Sequence, residues 1–205
     1  GLLHDVPHTA FSHVVDLVFE NIHEIYHEKF HEDIIFKSEI PLILKKYNFD
    51  VSKIIDAENF SLLESNIPDI CVDRIDYSFR DYVAIYGMDN SITNYINSLI
   101  IVNNEILINN QENAVKYANY FLDMIIKTWS NPLESIFNKI LADAIKIALD
   151  TKLLVEEDLF KDDKFIFKKL KSSKNESIKG KLSLLNPNIK IEENRNNYDF
   201  YVQRK

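Results

Sequence analysis

Histidine gathers at the start of this chain. All six histidines (His4, His8, His13, His23, His27 and His31) fall within the first 31 of 205 residues. Adjacent His4 and Asp5 offer an imidazole nitrogen and a carboxylate oxygen, both ligand types for divalent metals. His13 and Asp16 stand three apart, on one face of a helix. A carboxylate so placed orients an imidazole and stabilises its protonated form, the arrangement of a general acid. His23, His27 and His31 recur every four residues, which reads as a polar helix face with one functional member or as a second metal group. Further on, Asp73, Tyr77 and Asp81 fall on one helical stripe with Arg74 beside it. Ionised groups make poor core without partners, so the stripe is a solvated face or the lining of a site.

The two segments together resemble the HD-domain metal-dependent phosphohydrolases. The likeness is greatest to the branch that contains the deoxynucleoside triphosphate triphosphohydrolases. That branch carries G-L-x-H-D-x-G-H-x-x-F-S-H-x-x-[DE], which this chain matches at Gly1, Leu2, His4, Asp5, His8, Phe11, Ser12, His13 and Asp16. It also carries D-[RK]-x-D-Y-x-x-R-D, matched at Asp73, Arg74, Asp76, Tyr77, Arg80 and Asp81. Pro7 stands where the pattern has a glycine, and Thr9 stands where a second glycine is common in that branch. The matched motifs cover about 30 residues, and their order and spacing make them specific in combination.

The resemblance implies one divalent metal ion (Fe, Mn, Ni or Mg) held by His4, Asp5 and Asp73. It implies His13 as the proton-transferring imidazole, Asp16 as its orienting carboxylate, and His8 close to the phosphates. His27 fits the family's further active-site histidine, with His31 as the alternative. Arg74 would contact phosphate, while Tyr77 and Asp81 would line the sugar end of a nucleotide pocket. The family's first metal histidine lies upstream of the His-Asp pair, so the expectation is a truncated N-terminus and an impaired site in this 205-residue form. The implied activity is hydrolysis of a nucleotide or similar phosphate ester, with dNTP to deoxynucleoside plus tripolyphosphate as one form. A non-catalytic nucleotide-binding module and an HD nuclease are the alternatives. Expected partners are a phosphorylated small molecule and further copies of the chain, with nucleic acid less favoured and no membrane.

The elements that must position these residues read as mainly helical. Phe11, Val14, Val15, Val18, Phe19 and Ile22 have helical spacing, continuing through Phe30, Ile34 and Ile35 to about Tyr47 with a break near Pro41. A short helix capped by Asp50 covers 50–55, and Pro68 opens another that ends by Gly87. β-Branched runs on either side of Asn103-Asn104 predict one small β-hairpin over 98–110. Long amphipathic helices are expected over 112–129 and 132–151, and shorter ones over 157–160 and 163–170. Ile189-Lys190-Ile191 and Phe200-Tyr201-Val202 alternate like C-terminal edge strands or a poorly ordered end. The expected division is a catalytic core over 1–97, the hairpin, a C-terminal helical part of the same unit over 111–185, and a polar tail.

Composition narrows the remaining classes. Three glycines and five prolines disfavour a turn-rich all-β fold, and no GxGxxG or GxxxxGK[ST] is present. A single cysteine, Cys71, excludes an internal disulfide and a Cys-rich zinc module. No apolar run approaches the roughly 20 residues of a bilayer span, and residues 1–10 do not resemble a signal peptide, so a cytoplasmic location is expected. The net charge of −8 speaks against nonspecific nucleic-acid wrapping. Eight lysines between Lys161 and Lys181, against Asp162, Asp163 and Glu176, form a locally basic stretch that reads as a solvated face or a polyanion contact.

Overall fold

The computed structural model describes residues 1–20, 26–56, 59–66, 68–192, 194 and 196–198. In chain order come α1 (Val14–Val18), a 3-10 turn (His27–Phe30), α2 (His31–Lys37), α3 (Ile40–Lys46) and α4 (Val51–Ile55). Then follow α5 (Val72–Tyr86), α6 (Asn90–Ser98), β1 (Leu99–Val102), β2 (Glu105–Ile108) and α7 (Gln111–Met124), which runs into a π-helical turn (Ile125–Trp129). Last are α8 (Pro132–Asp150), a 3-10 turn (Glu156–Phe160), α9 (Asp163–Ser172) and α10 (Glu176–Ser183). The fold is mainly α with one small antiparallel hairpin. The chain divides into two compact units, Gly1–Asp5 with Ile35–Trp129 and Val6–Ile34 with Ser130–Lys205.

In the first unit the core is aromatic. Phe79 of α5 lies edge-on to Tyr117 of α7, ring centroids 5.6 Å apart, with Ile75, Ile92 and Ile106 buried around them. Buried phenols need partners, and both find one at Ser78: Tyr117 shares a 3.2 Å hydrogen bond with its hydroxyl, and Tyr120 donates to its carbonyl. Burial pushes the Tyr117 phenol above its ordinary pKa. The hairpin pairs Leu99 with Ile108 and Val102 with Glu105, closed by Asn103 (φ 51°) and Asn104 (φ 63°). Two successive left-handed residues give the type I′ geometry that suits the strand twist, and asparagine tolerates it.

In the second unit the core is aliphatic and centres on α8. Its Leu141, Ala144, Ile145 and Ala148 pack with Val14, Val15 and Val18 of α1, Ile166 and Leu170 of α9, and Ile178 of α10. Alanines on α8 let the neighbouring helices approach closely, and each fully buried Val or Ile contributes roughly 1.5–3 kcal/mol. Asn131 caps α8 through the Leu133 amide, with Pro132 in the first turn. Of the lysines between Lys161 and Lys181, Lys169 pairs with Asp158 (3.1 Å), Lys179 with Glu176 (2.8 Å) and Lys181 with Asp143 (2.7 Å).

Several expected elements differ. The helix read over 11–22 is only α1, because Phe11 (φ 57°), Ser12 (φ 48°) and Glu20 (φ 55°) adopt left-handed backbone on either side of it. Ile22 and His23 lie outside the described residues. The break near Pro41 falls at Ser38 and Glu39, and Pro41 sits in the first turn of α3. Helix α5 begins at Val72 and not at Pro68: the Val72 and Asp73 amides donate to the carbonyls of Leu62 (2.9 Å) and Leu63 (3.0 Å). Helices α6 and α10 were not legible from apolar spacing. Ile189-Lys190-Ile191 is not a strand, since no neighbouring strand is present there to pair with among the described residues; Phe200-Tyr201-Val202 lie outside them.

Candidate metal centre

The first unit brings His4, Asp5 and Asp73 together although 68 residues separate the two aspartates in sequence. His4 Nε2 lies 3.1 Å from Asp73 Oδ1 and 3.3 Å from Asp5 Oδ1. One donor atom from each of the three falls within 4.8 Å of the others. Asp73 owes its place to the amide bonds that fix the start of α5, and a carboxylate in a first helical turn is favoured by the helix dipole. Burial pulls the His4 pKa down, but the Gly1 carbonyl, Asp5 and Asp73 outweigh it, so the imidazole sits above its ordinary value. These surroundings hold positive charge. One imidazole and two carboxylates also form a mixed nitrogen and oxygen donor set that fits Mn, Fe, Ni or Mg.

The second unit brings His13, Asp16 and His27 together, again with one donor atom each within 4.8 Å. Asp16, in the first turn of α1, is only 2% exposed. Its Oδ1 accepts the Tyr26 amide at 2.9 Å, and its Oδ2 lies 3.2 Å from His13 Nδ1. His13 itself is half exposed, so its ring is held from the buried side and open on the other. His8 stacks on His27 with ring centroids 4.0 Å apart and meets His13 edge-on at 5.3 Å. His31, the alternative to His27, opens α2 and belongs to neither group.

Arg74, Tyr77 and Asp81 all lie on α5. The Arg74 guanidinium donates to the Asp69 carbonyl and to that of Ser65 (3.4 Å), closing the loop before the helix. It also borders a cavity of about 560 Å³ whose lining is otherwise apolar, including Leu107, Tyr117, Phe121 and Ile125. Burial raises the Tyr77 phenol pKa while Arg74 works against it. Sequence reasoning passed over Trp129. Its indole Nε1 donates to Asp81 Oδ2 at 2.7 Å, and its ring lies edge-on to Tyr77 at 5.2 Å. The one available signal was that it is the only tryptophan of the chain.

Comparison with known proteins adds two relatives. The chain is 38% identical over 208 residues to the uncharacterized protein YdhJ of Bacillus subtilis, covering all of this chain and 64% of that protein. Over 85 residues, 41% of this chain and 24% of the other, it is 36% identical to the metal-dependent phosphohydrolase cns2 of Cordyceps militaris. The chain thus spans less than two thirds of either relative. No family model matches it. Among the described residues, no helix is long and apolar enough to cross a membrane.

Proposed function

We propose that this chain is a metal-dependent phosphohydrolase of the HD superfamily, acting on a nucleotide or a similar phosphate ester. The observation that carries the reading is the convergence of His4, Asp5 and Asp73, with donor atoms within 4.8 Å. The similarity to a metal-dependent phosphohydrolase supports it independently of that geometry. A divalent ion bound there supplies Lewis acidity to a phosphoryl oxygen and lowers the pKa of a bound water.

The chain's own residues do the rest. Asp5 and Asp73 bring the negative charge that retains a cation, and His4 adds a neutral nitrogen ligand once it gives up its proton. His13 delivers a proton to the leaving oxygen, with Asp16 fixing the ring and stabilising its charged form. Asp16 can do this because its second oxygen is anchored on the Tyr26 amide. Tyr77 and Asp81, braced by Trp129, serve the sugar end of the substrate. The apolar cavity beside Arg74 offers space for a ring. With a dNTP, hydrolysis at the α-phosphorus releases deoxynucleoside and tripolyphosphate.

The test is to incubate the chain with dNTPs and phosphorylated metabolites in Mn²⁺, Fe²⁺, Ni²⁺ or Mg²⁺ and to resolve products by chromatography. Chelator-sensitive release of a dephosphorylated product is expected. Bound metal without hydrolysis of any substrate would favour the non-catalytic nucleotide-binding module.

A further inference from the structure

We infer that His13, Asp16 and His27 form a second cation site, selective for Zn²⁺, that shuts off proton transfer when filled. The site stands on its own geometry; the inhibitory consequence rests on the proton-donor reading of His13. Donors around a tetrahedral Zn²⁺ lie about 3.3 Å apart, given bonds of about 2.0–2.1 Å. His13 Nδ1 and Asp16 Oδ2 are already 3.2 Å apart, and a donor of His27 lies within 4.8 Å of donors on both. The half-exposed His13 ring has freedom to close the remaining gap.

The two groups of the chain differ in the metals they suit. The His4 group has one nitrogen and two carboxylates, which Mn²⁺ or Mg²⁺ accepts. The His13 group has two nitrogens and one carboxylate, a set on which Zn²⁺ outcompetes Mn²⁺. Asp16 puts its single negative charge where water scarcely reaches, and a buried carboxylate gains most from a cation brought against it. The neighbouring donors are preorganised: the Tyr26 amide fixes Asp16, and the stacked His8 ring fixes the plane of His27. Zn²⁺ on His13 Nδ1 takes the place of the Nδ1 proton, so the ring can no longer become an imidazolium, and its remaining Nε2–H is too weak an acid to protonate a leaving group.

The experiment titrates Zn²⁺ into the whole chain against a chromophoric chelator and counts ions per chain. Two Zn²⁺ are expected for the unaltered chain, and one for Asp73→Ala. His27→Gln and His13→Gln, each checked by helical circular dichroism, are also expected to bind one. A single Zn²⁺ on the unaltered chain, or two retained by a folded His13→Gln or His27→Gln variant, overturns the site. Should both histidine variants lose their helical signal, Co²⁺ on the unaltered chain decides. An intense four-coordinate visible band from one of two equivalents supports the site, and only weak six-coordinate absorption overturns it. Mn²⁺-supported turnover should fall about 10²-fold in step with filling by Zn²⁺. Turnover indifferent to that ion overturns the inhibition. If no substrate is hydrolysed at all, the hydrolase reading fails while the ion count still decides the site.

Discussion

His4, Asp5 and Asp73 leave their carboxylates 56% and 30% exposed, set two negative charges against one imidazole, and draw that imidazole towards its charged form. His13, Asp16 and His27 do the reverse: their one carboxylate is 2% exposed and committed to an amide and a ring, and two imidazoles surround it. The first arrangement has charge to spare for a hard cation and access for water and substrate. The second commits one carboxylate oxygen to the Tyr26 amide and the other to the His13 ring, which fixes the orientation of that ring. Similar residue types therefore form two groups that differ in burial, charge balance and hydrogen bonding, and under the proposed function the first would hold the catalytic metal while the second would handle the proton.

The division can be broken most severely at Asp73. Asp73→Ala should abolish hydrolysis while leaving the helical circular dichroism nearly unchanged, because the side chain is partly exposed and α5 is fixed by backbone amides. Turnover within a few-fold of the unaltered chain would break the distinction. At His13 the loss should be smaller, about 10²–10⁴-fold in turnover, with Mn²⁺ binding retained. Parallel loss of Mn²⁺ from His13→Ala would merge the two groups into one.

Acid should act on the first group. Its surroundings raise the His4 pKa, so in the metal-free fold the proton contributes stability at low pH that is lost as pH rises through that value. Metal binding runs the opposite way, since the ligand is the neutral ring. Apparent Mn²⁺ affinity should fall by up to about tenfold per unit as pH drops below the raised His4 pKa, and level off above it. A pH-independent affinity in a calorimetric titration would remove His4 from the ligand set. The smallest expected effect is that of Trp129→Phe. Losing the indole donor to Asp81 should cost about 1 kcal/mol in denaturant unfolding and leave Mn²⁺ binding untouched.

Much of this was legible in the residues, for identifiable reasons. Asn103-Asn104 announces its own turn, and Asp50 marks its helix start, because these signals are local and chemical. The ends of α1 were hidden because Phe11, Ser12 and Glu20 adopt positive φ without being glycine, held by the fold around them. The start of α5 was misread at Pro68 because the carbonyls that anchor it belong to Leu62 and Leu63 in the preceding loop, and its cap is the sulfur of Cys71, which accepts from the Arg74 amide and is not among the usual capping residues. His13 and Asp16 meet as their spacing implies. The stacking of His8 on His27 and the clasp of Trp129 on Asp81 are contacts across 19 and 48 residues that periodicity does not encode.

The most direct measurement is the Mn²⁺ stoichiometry of the unaltered chain beside His4→Gln, Asp5→Asn, Asp73→Asn and His13→Gln, read from the electron paramagnetic resonance of free Mn²⁺. One bound ion per chain is expected, weakened about tenfold or more by each of the first three changes and unaltered by the fourth. Equal binding by the unaltered chain and the Asp73→Asn variant would contradict the assignment of His4, Asp5 and Asp73 as the metal centre.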